Sequence, residues 1–441
     1  MARLFGTDGI RGKVNEYLTC EIAYRLGQAA VCFQGKQVLI ARDTRISGQM
    51  LESALAAGVM SAGGHAHLCG VIPTPAVAML VRLHGMDAGV MISASHNPPI
   101  DNGLKMFDSK GHKLPDAVED EIDAFIKNGG LEAKNKLAQG NATGTQSVLT
   151  SAIDDYVNFI VESVRSQNVD FAGLKVALDA GHGASCVTSK RALEDLGAQV
   201  IAINTDYCGT DINVECGSTH LKPLKDLVKE TGANVGISHD GDADRVMMVS
   251  EDGREIDGDV MLYVISKDLK ANGELTNNTV VGTVMSNLGL SHALDEEGIK
   301  LVQTKVGDRY VLEEMVNEGY SVGGEQSGHV ILIDRNSTGD GLMTAVQFLA
   351  AVKRQNVTIS EAISNFKHYP QVLINVKVDD RQKAMEGEEV HKAVSFAEES
   401  MGDTGRVLLR PSGTEPVVRV MVEAETEEVA NKWAKEIADM L

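Results

Sequence analysis

Short apolar runs alternate with helical periodicity along most of this 441-residue chain. The run QVLIARD (37–43) precedes a helical pattern over 50–62, and HAHLCGV (65–71) precedes another that begins at Thr74. A chain with this alternation buries short strands beneath helices, because the continuous apolar strands need cover on their faces. The sequence therefore predicts an α/β fold. Its length exceeds what one core supports and suggests about three domains.

Two changes in the pattern divide the chain further. The stretch 127–146 is polar and rich in Gly and Asn, which is typical of a domain boundary. From about residue 368, QVLINVKV, RVLLRPS and VVRVMVEAE alternate apolar and polar residues, as in a half-exposed antiparallel sheet. We therefore expect three α/β domains and a C-terminal α+β domain. Their expected ranges are 1–148, 149–252, 253–367 and 368–441.

Charge and hydropathy limit the partners of the chain. The formal net charge of −21 disfavours binding to nucleic acid, whose phosphates it would repel. The first residues contain no apolar signal-peptide core, and no apolar run reaches the ~18 residues that span a bilayer. We expect a cytoplasmic protein with no membrane partner. The six cysteines form no C-x-x-C pair and are expected to be reduced, mostly buried thiols.

The segment SASHNP (93–98) carries the first candidate site. It follows the apolar run AGVMI and presents the hydroxyl of Ser95 beside His96. An ordinary Ser/Asn turn ended by proline has the same appearance, so the segment alone does not distinguish a site from a turn. The chain has no G-x-S-x-G motif, and an α/β-hydrolase nucleophile is therefore not supported.

The segment DGDADR (240–245) carries the second candidate site. In an extended backbone, aspartates two positions apart point to one side, and three carboxylates suit Mg²⁺ or Ca²⁺. A calcium-binding EF-hand is the competing interpretation, because Glu251 falls at the twelfth position. It fails because Arg245 replaces the required glycine and because both flanks read as strands. The sequence favours a metal site over a solvated acidic turn, since the like charges repel without a cation.

Two further loops offer groups for a sugar and a phosphate. GGEQSGH (323–329) combines flexible glycines with Glu325 and Ser327, although a plain turn would look similar. RPSGTEP (410–416), followed by Arg419, is a plausible phosphate cradle or a charged hairpin tip. Six other basic residues lie near these loops, and each alone is most simply a solvated surface charge: Arg11, Arg42, Arg45, Lys105, Lys305 and Arg309.

The order of these motifs is more specific than any one of them. FGTDGIRG, SASHNP, DGDADR, GGEQSGH and RPSGTEP, in this order, resemble the α-D-phosphohexomutase superfamily over essentially the whole chain. The resemblance implies a four-domain architecture with mixed sheets in the three α/β domains. Within the superfamily the chain is most similar to the members that act on glucosamine phosphates, because of Gln326, the SASHNP form and TKVGDRYV (304–311).

The resemblance also implies roles for residues in the first two domains. Ser95 would carry a phosphate, and one Mg²⁺ would bind Asp240, Asp242, Asp244 and an oxygen of the phosphorylated Ser95. A phosphoserine beside three carboxylates requires such a cation and nearby arginines. Arg11 and Arg245 would neutralise phosphate oxygens, and Lys105 and His96 would handle the proton of the attacking hydroxyl.

Substrate contacts are implied for the remaining motifs. Glu325 and Ser327 would bind sugar hydroxyls, and further substrate contacts would come from Lys305, Asp308, Arg309 and His329. The phosphate that does not react would be held by Arg410, Ser412, Gly413, Thr414 and Arg419.

The implied reaction interconverts glucosamine 6-phosphate and glucosamine 1-phosphate through a 1,6-bisphosphate, on the route to UDP-N-acetylglucosamine. Glucosamine or glucose 1,6-bisphosphate would prime the enzyme, and homodimers are common in the superfamily. Two alternatives stay open. In the first, the enzyme catalyses the same reaction on phosphates of glucose or mannose, which are neutral sugars without the amine. A non-catalytic sugar-phosphate sensor would be expected to lack the serine or a metal ligand, and this chain retains all four.

Overall fold

The computed structural model describes residues 3–6, 8–411 and 417–441. Its backbone contacts divide into two compact units, one formed by residues up to 284 with 302–363 and the other by 285–301 with 364–441. The first unit contains the α/β sheets, and the second is built around the C-terminal sheet.

The first sheet has six strands in the order β1-β5-β4-β2-β3-β6. The strands are β1 (Ile10–Lys13), β2 (Gln37–Arg42), β3 (His65–Val71), β4 (Ala88–Ile92), β5 (Asp101–Asp108) and β6 (Thr145–Val148). The helices of this region are α1 (Cys20–Phe33), α2 (Gly48–Ser61), α3 (Thr74–Leu83) and α4 (Asp116–Lys127). Strands β4, β2, β3 and β6 run parallel. At one edge β5 pairs antiparallel with β4, and β1 pairs antiparallel with β5.

Three strands of this sheet were not predicted from the sequence. The sequence of strand β5 shows little alternation of apolar and polar residues, and its buried residues include Asn102 and Lys105. Its composition is therefore not typical of a buried strand. Strand β1 has only four residues. Strand β6 is wholly exposed and lies inside the stretch predicted to be only a boundary, where it pairs with the edge of β3. Backbone pairing to a neighbouring strand, rather than apolar burial, forms it.

The second sheet has the order β11-β10-β9-β7-β8. The strands are β7 (Lys175–Asp179), β8 (Gln199–Ile203), β9 (Val235–His239), β10 (Val246–Ser250) and β11 (Glu255–Ile256), and the helices are α5 (Ala152–Arg165), α6 (Ser189–Asp195) and α7 (Lys222–Thr231). Strands β8, β7 and β9 are parallel, and β10 and β11 are antiparallel. All five residues of β9 are buried, which fixes the position of the loop that follows it.

The third sheet has the order β13-β12-β14-β15. The strands are β12 (Thr279–Thr283), β13 (Lys300–Thr304), β14 (Val322–Gly324) and β15 (Val330–Leu332), and the helices in this part of the chain are α8 (Gly258–Ala271), α9 (Leu288–Glu296), α10 (Asp308–Glu318), α11 (Gly341–Gln355) and α12 (Ile359–Ala362). Of these helices, α9 belongs to the second compact unit. Helix α11 is buried along most of its length. Asp340 caps α11 through the Met343 N–H and accepts a 2.7 Å hydrogen bond from the Tyr156 hydroxyl, which ties α11 to α5.

The C-terminal sheet is antiparallel throughout, in the order β16-β18-β17. Its strands are β16 (Gln371–Lys377), β17 (Arg406–Pro411) and β18 (Val417–Glu423), and its helices are α13 (Arg381–Met385), α14 (Glu388–Met401) and α15 (Glu427–Ala438). Strand β16 alternates half-buried and exposed residues, as its sequence predicts. Trp433 of α15 packs in the apolar cluster beneath the sheet with Val420 and Val422.

The predicted fold class is confirmed: three α/β regions with mixed sheets precede an antiparallel α+β region. The domain limits at 148, 252 and 367 stay predictions. The expectation of mostly buried thiols is wrong, because only Cys216 is buried and Cys32 and Cys208 are exposed. Among the described residues, no helix is long and apolar enough to cross a membrane.

Candidate active site

Ser95 lies in the turn after β4, and only 1% of the residue is exposed. Its backbone is left-handed, with φ of 52°. The Ser95 hydroxyl donates a 2.6 Å hydrogen bond to Oδ2 of Asp240, and Oγ lies 3.4 Å from Nδ1 of His96. The turn therefore directs the hydroxyl to the acidic cluster of the second sheet, where the sequence placed a metal.

Asp240, Asp242 and Asp244 lie in the loop after β9, and all three are buried. One oxygen from each lies within 4.8 Å of the others. The expectation of an extended backbone is wrong, because the segment is a turn in which Ala243 has φ of 55°. The turn joins the antiparallel strands β9 and β10, so the predicted flanking strands are present and an EF-hand is excluded.

Lys105 is the basic residue that pairs with two aspartates of this cluster. Lys105 Nζ lies 2.8 Å from Oδ2 of Asp242 and 3.3 Å from Oδ2 of Asp244, and Thr74 donates to Asp242 at 2.6 Å. Among the described residues, Oδ1 of Asp242 and Oδ1 of Asp244 are buried without a hydrogen-bond partner. Burial and then the charges of Asp244 and Asp242 raise the pKa of Asp240. Converging, unsatisfied carboxylate oxygens are the donor set that fits Mg²⁺.

Lys105 belongs to a closed ring of charged groups that the sequence did not reveal. Around the ring, Lys105 lies 3.0 Å from Asp8, and Asp8 lies 2.6 Å from Lys113. Lys113 lies 2.5 Å from Asp308, which lies 3.3 Å from His329 Nε2. The ring closes at Asp244, because His329 Nδ1 lies 3.7 Å from its Oδ1 and Lys105 Nζ lies 3.3 Å from its Oδ2.

Opposite charges set the protonation of the ring. Burial opposes the charged form of Asp8, but Lys105, Lys113 and Arg11 hold its pKa well below the ordinary value. Burial also opposes protonation of His329, but Asp308 and Asp244 raise its pKa. The pKa of Lys105 is likewise raised by Asp242 and Asp8 against burial, so Lys105 stays a cation. A continuous ion-paired path therefore connects the first and third sheets.

Arg11 and Arg245 line the same site. Arg11 pairs with Asp8, and Arg245 Nε lies 4.0 Å from Oδ1 of Asp244. The Nε groups of both arginines are buried without a hydrogen-bond partner in the described part of the chain. Burial and then the nearby Arg245 and Arg11 lower the pKa of His96, which favours its neutral ring. Two unsatisfied guanidinium N–H groups beside a serine hydroxyl suit an anion such as phosphate.

The hairpin between β14 and β15 holds Glu325, Ser327 and His329. The Gly307 N–H donates to Oε1 of Glu325 at 3.0 Å, and Ser327 is exposed. A Cβ at Gly328 would lie 2.0 Å from the Val246 carbonyl oxygen, so glycine permits this hairpin to pack against the strand that follows the acidic loop. The structure therefore brings the third predicted loop next to the second.

The TKVGDRYV segment supplies the other predicted substrate contacts. Lys305 is exposed, with Nζ 5.9 Å from the centre of the Tyr310 ring. Asp308 belongs to the charged ring described above. Arg309 pairs with Asp116 and lies 3.0 Å from Glu119 of α4, so its charge is already balanced within the first compact unit.

In the C-terminal unit, Arg410 and Arg419 face each other across β17 and β18. Both Nε groups are buried and have no hydrogen-bond partner in the part of the unit that is described. Burial and then the charge of Arg419 lower the pKa of Arg410. Adjacent unpaired guanidinium groups are a ready site for an anion. The predicted phosphate ligands Ser412, Gly413 and Thr414 lie outside the described residues.

The interpretation of isolated basic residues as surface charges is wrong at two positions. Arg45 is completely buried and Lys105 is 1% exposed. Asp8 and Lys113 are site residues that the sequence motifs do not indicate. Asp8 stands within FGTDGIRG, and Lys113 follows β5, which carries Lys105, so an unpredicted strand concealed their proximity. The sequence pattern indicates Thr74 only as the start of a helix, whereas in the structure its hydroxyl donates a hydrogen bond to Asp242.

Sequence and structure comparisons agree with this arrangement. Models of the phosphoglucomutase/phosphomannomutase family match the chain as α/β/α domain I (residues 2–133), domain II (154–253), domain III (257–369) and the C-terminal domain (373–440). The chain therefore belongs to the phosphoglucomutase/phosphomannomutase family and is an intramolecular phosphotransferase. Its full-length relatives include the phosphoglucosamine mutases of Clostridium tetani (48% identical) and Acetivibrio thermocellus (46%), each matched over 100% of this chain and 99% of the relative.

Solved structures share the fold. A phosphoglucomutase/phosphomannomutase family protein from Burkholderia thailandensis has a TM-score of 0.81 and 25% identity, and the match covers 100% of this chain and 97% of that one. Aspergillus fumigatus N-acetylphosphoglucosamine mutase, solved in complex with GlcNAc-6P and magnesium, has a TM-score of 0.71 and 17% identity over 99% and 95% of the two chains. The second similarity concerns the fold alone.

Proposed function

We propose that this enzyme interconverts glucosamine 6-phosphate and glucosamine 1-phosphate through a phosphorylated Ser95. The observation that carries the proposal is the 2.6 Å hydrogen bond from the Ser95 hydroxyl to Asp240, inside a buried acidic cluster. Arg11 and Arg245 flank the cluster, and the Nε of each has no hydrogen-bond partner among the described residues. The glucosamine substrate is supported by the full-length phosphoglucosamine mutase relatives. On this proposal the product feeds the synthesis of UDP-N-acetylglucosamine.

Asp240, Asp242 and Asp244 would hold one Mg²⁺, together with an oxygen of the phosphorylated Ser95. The support is the pair of buried, unsatisfied Oδ1 atoms and the repulsion that raises the pKa of Asp240. When bound, the metal withdraws electron density from the phosphoryl group and stabilises its transition state. Lys105 pairs with two of the aspartates and with Asp8, so it would share the charge of the cluster with the cation.

The reaction consists of two phosphoryl transfers in opposite directions. In the first, a sugar hydroxyl oxygen bonds to phosphorus while the bond from phosphorus to Ser95 Oγ breaks, and the hydroxyl proton passes to a basic group. In the second, Ser95 Oγ bonds to the phosphorus of the other phosphate of the bisphosphate while the bond from that phosphorus to the sugar oxygen breaks, and the sugar oxygen takes up the proton. Arg11 and Arg245 would balance phosphate charge in both steps. His96, which lies 3.4 Å from Ser95 Oγ and is favoured as a neutral ring, would accept the hydroxyl proton. Lys105, which stays a cation beside the aspartates, would take part as a proton donor to the sugar oxygen.

The loops of the third sheet would provide the contacts to the sugar. Glu325 and Ser327 would bind the sugar hydroxyls, with His329, Lys305, Asp308 and Arg309 completing the substrate site. Arg410 and Arg419, with Ser412, Gly413 and Thr414, would hold the phosphate that is not reacting. The role is supported by the Nε groups of the two arginines, which have no hydrogen-bond partner within residues 3–6, 8–411 and 417–441. Glucosamine or glucose 1,6-bisphosphate would restore any Ser95 that loses its phosphate. A homodimer and a cytoplasmic location stay predictions.

A comparison of substrates tests the proposal. Initial rates would be measured with the 1-phosphates of glucosamine, glucose and mannose, each with Mg²⁺ and its matching 1,6-bisphosphate. The proposal predicts the highest kcat/KM for glucosamine 1-phosphate. A higher kcat/KM for glucose or mannose 1-phosphate would assign the enzyme to a neutral sugar. Absence of turnover with all three would instead favour a sugar-phosphate sensor.

A further inference from the structure

Arg45 is among the largest side chains with no solvent exposure, and all five of its guanidinium N–H groups are used. Nε donates to Oδ2 of Asp43 at 2.9 Å. The remaining four hydrogen bonds go to backbone carbonyl oxygens of the turn that holds Ser95. Nη1 donates to Pro98 at 2.5 Å and to Asp101 at 2.9 Å, and Nη2 donates to Ser95 at 2.9 Å and to Asn97 at 2.8 Å.

Asp43, which pairs with Arg45, also restrains the backbone N–H of Ser95. The Ser95 N–H donates to Oγ of Ser93 at 2.9 Å, and that hydroxyl donates to Oδ2 of Asp43 at 2.7 Å. The carbonyl of Ser95 is bound directly by Arg45, so both backbone polar groups of Ser95 lead to the Asp43–Arg45 pair. Asn213 provides one further restraint, because its amide donates to the Ser95 carbonyl at 2.9 Å.

This network explains how Ser95 keeps an unfavourable backbone. A serine with φ of 52° lies in the left-handed region, which non-glycine residues leave unless surrounding contacts hold them there. In that conformation the Ser95 side chain reaches Asp240. If the turn relaxed, the hydroxyl would lose this direction, and a displacement of about 1 Å is enough to cost about 100-fold in rate.

We propose that Arg45 is a positioning residue for phosphoryl transfer, which fixes the turn 95–101 so that the Ser95 hydroxyl faces the aspartate cluster. The inference rests on the proposed function, because it concerns the group that would carry the phosphate. Arg45 makes its contacts with Asp43 and with backbone carbonyls of the turn, so its loss should slow transfer without weakening the binding of the sugar phosphate. Lysine cannot replace it, since an ammonium has three donors and no planar fork.

The test measures phosphorylation of Ser95 directly. Wild type, Arg45→Lys and Arg82→Lys would be mixed with glucose 1,6-bisphosphate and Mg²⁺, quenched at intervals and analysed by intact mass and peptide mapping. We expect Arg45→Lys to acquire phosphate about 100-fold more slowly, with an unchanged concentration dependence on the bisphosphate. Arg82 is the matched control: it donates to Ala78 and Asn336, away from Ser95, so its replacement should lower Tm without slowing transfer.

Chemical rescue separates positioning from general stability. Arg45→Ala should regain part of its transfer rate with millimolar guanidinium, which can occupy the vacated site, and Arg82→Ala should not respond. If Arg45→Lys does not fold, Ser93→Ala tests the same network, because it breaks the link between Asp43 and the Ser95 N–H while retaining Arg45. It should also slow transfer at unchanged KM.

Transfer at the wild-type rate in Arg45→Lys, or in Ser93→Ala when that variant is used, would overturn the positioning role and leave the proposed function intact. A wild-type enzyme that acquires no phosphate at Ser95 would overturn the proposed function and this inference together. The two failures are therefore distinguishable.

Discussion

The hydroxyl of Ser95 donates a 2.6 Å hydrogen bond to Oδ2 of Asp240, although 145 positions separate the two residues in the chain. Ser95 follows β4 of the first sheet, and Asp240 follows β9 of the second. The candidate nucleophile and the candidate metal site are thus assembled from the ends of two separate sheets. Open α/β sheets commonly carry their sites at such strand ends.

Each aspartate of the metal cluster should be essential for turnover. Changing Asp240, Asp242 or Asp244 to Asn should lower kcat more than about 100-fold, because loss of residues that merely support metal ligands already costs 10–100-fold. Two such changes together should cost little more than one, since the three act as a unit. Calorimetric titration with Mg²⁺ should show weaker binding in each variant.

Metal replacement gives a second measure of the same site. Mg²⁺ should restore chelator-treated enzyme, whereas Ca²⁺ should compete for the site and support little turnover, because it is larger and less demanding in geometry. Asp226→Asn is a suitable control, since Asp226 pairs with Lys222 on the exposed surface of α7. Full activity in the presence of EDTA would exclude a metal role.

Lys113 should stabilise the charged ring. Lys113→Met would leave Asp8 and Asp308 without their 2.6 Å and 2.5 Å partner. Breaking a fully buried pair costs about 3–5 kcal/mol, and we expect a smaller loss of about 1–3 kcal/mol because these side chains are only partly buried. Urea unfolding should show this loss. Adding Asp308→Asn should recover part of it, because the second change removes one uncompensated charge.

The exposed Lys110, three residues away on the same loop, provides the control for Lys113. Lys110→Met should leave the free energy of unfolding within about 0.5 kcal/mol of wild type. Equal stability of Lys113→Met and Lys110→Met would show that the ring contributes nothing to the fold.

Arg419 should contribute equally to the binding of both monophosphates. One end of the sugar reacts in each half-reaction, so a single clamp must hold the 6-phosphate in one and the 1-phosphate in the other. Arg419→Ala should therefore raise the KM for glucosamine 6-phosphate and glucosamine 1-phosphate by similar factors, because it removes a charged donor for phosphate. Steady-state kinetics in both directions would measure the two factors.

Lys392→Ala is the control for the C-terminal unit, since Lys392 is exposed and pairs with Glu388 on the same helix. It should change neither KM. If Arg419→Ala weakened only one of the two monophosphates, a shared clamp would be wrong and two separate phosphate sites would be required.

Gly58 should be required for the packing of α1 against α2. A Cβ on Gly58 would lie 1.9 Å from the Tyr24 carbonyl oxygen, and one on Gly27 would lie 2.2 Å from that of Leu55. Helix propensity alone favours alanine over glycine by about 1 kcal/mol, so any net loss in Gly58→Ala measures the clash. We expect a loss of about 1–3 kcal/mol in urea unfolding.

Ser53→Ala on an exposed position of α2 should change stability by no more than about 0.5 kcal/mol. A stabilised Gly58→Ala would mean that the two helices separate readily enough to accept a methyl group.

The sequence predicted elements whose formation depends on local apolar patterns. Strands β2, β3 and β9, together with most helices, begin within a few residues of their predicted positions because apolar burial decides them. Strand β5 escaped prediction because its buried residues include Asn102 and Lys105, which only contacts from distant segments make acceptable. Local periodicity carries no information about such partners.

The same limit applies to the site. The motif residues Ser95 and Asp240 could be identified from the sequence, and the structure brings them together. Arg45 looked like a surface charge, because its acceptors are backbone carbonyls in a turn about 50 positions away. Lys113 gave no signal, since its partners Asp8 and Asp308 lie 105 and 195 positions away. Roles that depend on long-range geometry cannot be read from residue type.

The measurement that tests the central claim most directly is the fate of phosphate at Ser95. Wild type and Ser95→Ala would be incubated with glucose 1,6-bisphosphate and Mg²⁺, and each would be examined by intact mass, peptide mapping and mutase assay. We predict that wild type gains one phosphate, located on Ser95, and transfers it to glucosamine 1-phosphate. Ser95→Ala should keep its fold by circular dichroism but neither gain phosphate nor turn over. Full mutase activity in Ser95→Ala, or a transferable phosphate on another residue, would contradict the account.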